Sequence, residues 1–463
     1  MADLAERTSP LTFDDALHLV RRTTFHPTFK LVGSMTGKTP AQAVDILLDM
    51  GAAPTPPDWA AVAPDPGTPF VDVARRWPEV QTWWMRHVLT TPSLRERLTL
   101  FWHNVTTSDY VTVYYGQYIV RQHELLRTYA YGPFATLCEN IVGDPAMLIY
   151  LNGNQSVKGN PNENFAREFF ELFTLGVGNY TEHDIVEAAR AFTGWRISGM
   201  NGVYNAQLAD TGAKTILGET GSWGYRDVVR ITLMKPACAR FIAGKLYRTY
   251  VQSTPDATVV EVMAQALLDT HYDIRAVLRS VLVSDHFYDA SIRGALIKSP
   301  ADLVIGLASL LDATKLDPAY AVASMTRLAQ EPFYPPTVEG WKGHHAWITS
   351  STFPQRQRFG ENLVAGRKTD GLPLADDTGQ VLAVDVVAFA KQFPDHGDAT
   401  KLVANIVGLL LPVPATPQQL DVLLDIMLAG APVYEWDIDA PGSVVRLRSL
   451  LQAIVRMPEF QLM

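Results

Sequence analysis

Only two of the 463 residues are cysteine, Cys138 and Cys238. Neither has the spacing of a zinc site, and neither lies in a polar loop where a thiolate would form. They read as two buried thiols, with one disulfide as the alternative. No HExxH occurs, no GxSxG elbow and no GxxxxGK[ST] phosphate loop, the glycine-rich stretch around Gly153 lacking the GK[ST] ending, which sets aside zincins, α/β-hydrolases and P-loop enzymes. The candidate histidine ligands His18, His26, His103, His183, His344 and His345 are scattered, and the adjacent pair His344-His345 cannot share one helix face. No metal or other cofactor is implied. Long apolar runs are missing too: VGLLLPVPA is too short to span a bilayer and is broken by proline. The N-terminal stretch MADLAERTSPLTFDDALHLVRRTTF has no apolar core of a secretory leader. As written, the chain reads as cytoplasmic, with export alongside a partner as the alternative. Basic residues are outnumbered, 39 Lys and Arg against 48 Asp and Glu for a net charge of −9. Nothing therefore favours nucleic acid, whose binders concentrate Lys and Arg on one face.

What the chain does have is helix grammar. It is 47% hydrophobic and 19% charged, enough for a large core or two to three domains. Caps followed by apolar periodicity recur at Thr12, Thr39-Pro40, Thr91-Pro92, Thr254-Pro255-Asp256, Asp273, Ser299-Pro300 and Thr416-Pro417. The expectation is an all-α, large multi-helix globular architecture of fifteen to twenty helices, counted at ordinary helix length. A helix from Phe70 to Leu89 should break or restart near Pro78. Between Arg196 and Gly224 the caps disappear and Gly, Asn, Thr and Tyr alternate with Ile, Val and Leu, which predicts a short β insert carrying Asp210 and Lys214. The whole chain, 1–463, reads as a single unit, with a possible subdivision into 1–195, 196–224 and 225–463.

Asp144 to Trp195 is the densest stretch. Gly159-Asn160-Pro161-Asn162 is turn chemistry, and Asn162 can cap a helix running from Glu163 to Leu175. Glu163, Arg167 and Glu171 stand four apart on one face with Glu168 beside them, so Arg167 could bridge Glu163 and Glu171. Thr181 with Asp184 three residues on makes a near capping box for a second helix. Two readings stay open. Glu–Arg–Glu at helical spacing is commonly a solvated face. Carboxylates among Phe, Leu and Ala also suit a partly buried cluster with shifted pKa values.

NENFAREFFELFTLGVGNYTEHDIVEAARAFTGW resembles the signature of the DUF1800 family, a bacterial family named for its unknown function. FWHN at Phe101–Asn104, DPAMLIYLN at Asp144–Asn152, DTGAKTILG at Asp210–Gly218 and PPTVEGWKGHHAWI at Pro335–Ile348 match further pieces in the family's order. Where the family pattern has a histidine shortly after the Asn of FWxN, this chain has Val105. Where it has one before the Asp of DxGxK, this chain has Ala209. If the resembling motifs converge, they would form a pocket of carboxylates, one histidine and tryptophans. Glu163, Glu168, Glu171 and Asp210 are then the catalytic candidates. His103, Asn104, Asn162, Asn164, Arg167, Glu182, Asp184, Trp195, Lys214, Trp341 and Trp347 are the substrate-binding ones.

Paired carboxylates lined by tryptophan fit glycoside chemistry, one acid kept protonated by burial and one ionised. One expectation is thus a hydrolase acting on a glycan or cell-envelope polymer. The other is a non-catalytic binding or scaffold protein, with a protein partner open and motif residues that hold loops. The loop 331–352 should be fixed by its prolines and should bring Trp341 or Trp347 beside the Asn162–Glu171 helix start, in a pocket shared with His103 or Asp210.

Overall fold

In the computed structural model, which describes residues 4–463, the regular structure is twenty-two α-helices, several short 3-10 turns, one π-helical turn and two two-stranded antiparallel sheets. The expected all-α architecture with a short β insert is what forms. Capping is as the sequence implies: Thr12, Thr39, Thr181, Ser299 and Thr416 each make a full capping box. The count exceeds fifteen to twenty because helices such as Phe29–Met35, Pro318–Arg327 and Thr352–Ala365 escape the periodicity test. In the last of these Arg356 is completely buried, so a charged residue stands where the pattern requires an apolar one. The helix Phe70–Thr90 also runs straight through Pro78, with no restart. Val80, Trp84 and Val88 are buried in the core and Trp77, before the proline, packs against the same core, and that packing outweighs one lost backbone bond. The helix after Thr91-Pro92 starts two residues later than expected, capped by Ser93 and spanning Leu94–Val105.

One connected cluster of buried side chains extends from Leu11 to Phe460. Within it Leu94–Val105 packs on Gly116–Thr128, Pro236–Tyr250 on Ala257–Asp269, and both Thr352–Ala365 and Pro417–Leu428 on Ser443–Arg456. Arg22 ties distant segments together. It is fully buried and donates to the carbonyls of Tyr250, Val251, Ile292 and Met463 at 3.3, 2.6, 2.7 and 2.8 Å. Cys138 and Cys238 are both free and buried, and burial pushes the Cys238 thiol up to about 12.

The β insert is two hairpins. Trp195–Ser198 pairs with Asn201–Tyr204, Trp195 opposite Tyr204, and Lys214–Ile216 pairs with Glu219–Gly221. The second hairpin lies on the helix Glu182–Ala191.

Candidate functional site

The acidic helix begins at Asn164, after Asn162 Oδ1 has accepted the Asn164 N–H at 2.9 Å. At Phe169–Thr174 it widens into a π turn. Widening lets the consecutive rings Phe169 and Phe170 both be buried along with Phe165 and Phe173, which a regular helix would turn to different sides. The bridge expected at Arg167 does not form. Arg167 donates to both oxygens of Glu182 at 2.9 and 2.8 Å and only grazes Glu163 at 3.5 Å, while Glu171 accepts from the Tyr180 hydroxyl at 2.7 Å. Glu163, Asn164 and Glu182 are exposed, so the Arg167 ion pairs lie in solvent and not in a buried cluster. Glu168 is half-buried, and burial, helped by the charge of Glu171, raises its carboxyl above the ordinary range.

Asp184, Asp210 and Lys214 meet at a different place, between the Glu182–Ala191 helix and the second hairpin. Arg190 donates to Asp210 at 2.9 and 3.3 Å and to Glu187 at 2.8 and 3.0 Å. Lys214, whose side chain is completely buried, donates to the carbonyls of Asp210 and Gly212 at 2.6 and 2.9 Å and lies 3.5 Å from the Asp210 carboxylate. Glu187 and Asp184 take the backbone N–H groups of Thr215 and Leu217 at 3.1 and 2.6 Å. The Arg190 bond leads the effects that hold the Asp210 carboxyl down at about 2. Every charge here has a partner, and the partners join helix to hairpin.

The FWHN helix end and the loop 331–352 meet at Asn104. Its Oδ1 accepts the Trp341 N–H at 2.6 Å and its Nδ2 donates to the Trp341 carbonyl at 3.2 Å, so the side chain imitates a strand partner. Gly340 must be glycine: φ is +81°, and a Cβ there would stand 2.2 Å from Asn104 Oδ1. The loop's other end is tied by Glu331, which accepts from Tyr110 at 2.6 Å and Gln81 at 3.0 Å. Trp341 and Trp347, 5% and 7% exposed, line a cavity of about 160 Å³. Asn104, Arg248, Lys342, His344 and the ion pair Arg97–Asp302 are among its polar lining.

His103 lies behind Trp341, lining a void with room for about one water. Its Nε2 is 3.2 Å from His123 Nδ1, and His123 Nε2 is 3.8 Å from the fully buried Glu96, beside His87 and Arg127. Burial opposes ionisation of Glu96, but His87, His123 and Arg127 together hold it at about 2. Burial lowers His123 to about 4 and His103 well below its ordinary value, so both imidazoles are neutral at pH 7.

A family model described as a protein of unknown function, DUF1800, matches residues 18–462. The chain belongs to the DUF1800 family. No curated protein and no solved structure matches it.

The DUF1800 motifs therefore occupy three places in this chain. Residues 162–171 form none of the lining of the cavity that Trp341 and Trp347 share with Asn104. The charge of Glu339, in the loop, adds to the raising of Glu168. Trp195 lines a third cavity, apart from the other two tryptophans. Sequence reasoning missed Glu96, His123, Arg97, Asp302 and Arg248. Glu96 and Arg97 were visible as charges at the start of the helix that carries FWHN, beside its Leu94, Leu98 and Phe101 face, and the rest had no local signal because their partners are remote in sequence. Among the described residues no three His, Cys, Asp or Glu side chains are placed to hold a metal ion, and no helix is long and apolar enough to cross a membrane.

Proposed function

We propose that this DUF1800 chain is a binding protein, a single helical unit, whose Trp341–Trp347 cavity receives an anionic ring of a glycan or cell-envelope polymer. The observation that carries this reading is an imbalance in that cavity. Three cationic side chains, Arg97, Arg248 and Lys342, meet one carboxylate, Asp302, among the described residues. Arg97 is spent on Asp302, while Arg248 and Lys342 are exposed and have no ion-pair partner among the described residues. The indoles support the same reading. Six of the ten tryptophans donate their N–H to a protein oxygen, and Trp341 and Trp347 are not among them. Flat apolar faces, free N–H donors and unpaired cations suit a sugar ring that carries an acid group. Hydrolysis of that ring needs a second carboxylate, which the lining lacks. An envelope polymer as ligand requires that the chain be exported; an internal acidic glycan does not.

The test is calorimetric titration with glucuronate oligomers and with their neutral glucose counterparts. The wild type should prefer the acidic series. The double variant Arg248→Glu, Lys342→Glu should lose that preference by tenfold or more, with a salt dependence that disappears along with it. Equal affinity for both series in the wild type would sink the reading.

Acid–base catalysis on such polymers is the second reading, and the raised carboxyl of Glu168 favours it. A folded-state pKa raised by burial means that ionisation costs stability. The penalty is present above the folded pKa and absent below the unfolded one. Glu168→Gln should thus match or exceed the wild-type Tm at pH 7, and the two should converge near pH 4. Thermal unfolding at both pH values tests the burial of Glu168 on which that reading leans, and a lower Tm at pH 7 would contradict it.

A further inference from the structure

Four arginines are buried among the described residues, Arg21, Arg22, Arg97 and Arg356. Three are accounted for. Arg22 has its four carbonyls, Arg97 has Asp302, and Arg356 donates to Gln461 Oε1 and to the Lys298 carbonyl, both at 2.7 Å. Arg21 is the exception. Its Nη2 donates to the Leu409 carbonyl, and it makes no other hydrogen bond and no ion pair among the described residues. Its Nε and Nη1 stay reachable: the sealed polar atoms that lack a partner include Arg22 Nε, Arg97 Nε and Arg356 Nη1 but no atom of Arg21. A buried guanidinium with donors to spare and no counter-ion costs free energy until an anion reaches it.

Arg21 lines a cavity of about 300 Å³ between the Phe13–Thr23 and Ala399–Leu410 helices, the connection 411–415 and Leu420. The cavity opens to solvent, since Ala404, Gly408 and Pro414 in its lining are exposed. Its polar groups are all on or beside the Phe13–Thr23 helix, and the opposite wall, Ala404 to Leu420, carries only apolar side chains. Burial works against the Arg21 charge; the exposed Asp14, which makes no ion pair among the described residues, offsets part of this, and the neighbouring Arg293 adds to it. Arg293 pairs with Asp15, a carboxylate that also accepts from Arg7 at 2.9 Å. Burial and then Arg22 hold His18 well below its ordinary value, so it adds no charge at pH 7. The lining thus sets two guanidiniums against one carboxylate, Asp14.

The space is also held open. Gly408 lies inside its helix, where glycine weakens the helix, yet a Cβ there would meet nothing within 4 Å. Pro412 and Pro414 stiffen the connection, and Val413 packs on the turn at Gly294, where a Cβ would stand 2.7 Å from Val413 Cγ1.

We infer that this cavity binds an aliphatic monocarboxylate, its carboxylate on Arg21 and Arg293 and its hydrocarbon chain on Val407, Leu411 and Leu420. The planar guanidinium fork fits the two oxygens of a carboxylate, and each methylene taken from water adds to affinity. The inference does not rest on the acidic glycan proposed for the tryptophan cavity.

Calorimetric titration with hexanoate, octanoate and octan-1-ol tests it. The wild type should bind octanoate about tenfold more tightly than hexanoate, two methylenes being worth that much, and about tenfold more tightly than the alcohol. Arg21→Met should lose the preference for acid over alcohol. Gly408→Leu puts a side chain into the open space without a change of backbone, and should lose both ligands at an unchanged or raised Tm. The Arg248→Glu, Lys342→Glu protein should bind octanoate as the wild type does. Absence of octanoate binding, equal affinity for acid and alcohol in the wild type, or undiminished binding by Gly408→Leu would each overturn the inference. So would a loss confined to the charge-reversed protein, which would move the acid to the tryptophan cavity. Should Arg21→Met fail to fold, the wild-type comparison and Gly408→Leu still decide.

Discussion

Gly340→Ala is expected to dismantle the wall of the tryptophan cavity. Alanine resists the left-handed backbone at this position, and its Cβ would overlap both the side-chain and the backbone oxygen of Asn104. The loop has to move away, which breaks both Asn104–Trp341 hydrogen bonds and frees the indole. The expected cost is about 2–4 kcal/mol of stability, measured by urea unfolding. Near-UV dichroism from tryptophan should fall and preference for acidic oligomers should be lost. Asn104→Ala removes the same two bonds without the overlap and should cost about 1–3 kcal/mol. Because the two residues act as one contact, the double variant should cost less than the sum. Additive costs would mean that Asn104 and Gly340 serve different parts of the fold.

Arg22→Met should be the more damaging to stability. The guanidinium satisfies four carbonyls from three distant segments inside the core. Methionine fills much of the volume and leaves the Tyr250 and Val251 carbonyls without a donor, while those of Ile292 and Met463 keep only the N–H groups of Ala295 and Leu296 at 3.2 and 3.4 Å. A loss of about 3–5 kcal/mol is expected, seen as a lower urea midpoint at unchanged slope. Arg22→Lys keeps the charge but cannot reach opposite carbonyls with one nitrogen, so an intermediate loss is expected. A change under about 1 kcal/mol in the methionine variant would show that these carbonyls find other donors.

The fold was largely legible because capping is local. Thr12, Thr39, Asp273 and Ser299 announce their helices within four residues, and the helices begin there. The site was legible only where the partner was near in sequence. Asp210 and Lys214 were correctly placed on the insert, and both lie at its second hairpin. Arg167 was read toward Glu163 and Glu171 on a regular helix. The π turn and the nearby helix start at Glu182 redirected it, and neither shows in a four-residue spacing. Convergence of all the motifs on one pocket was an expectation from their shared company in a family, and chain order does not carry distance. Asn104 meets Trp341 across 237 residues, and Glu96 meets His123 across two helices. Such pairings follow from helix packing, which no window of sequence contains.

On the proposed function, Trp341 and Trp347 form an acid-recognising saccharide site that Asn104 holds open. A crystal of the wild-type chain soaked with a glucuronate oligomer tests it most directly. Density is expected for one ring against the two indoles, with its carboxylate at Arg248 and Lys342. An empty tryptophan cavity at saturating oligomer, or a ring seated instead beside Glu168 and Glu171, would contradict it.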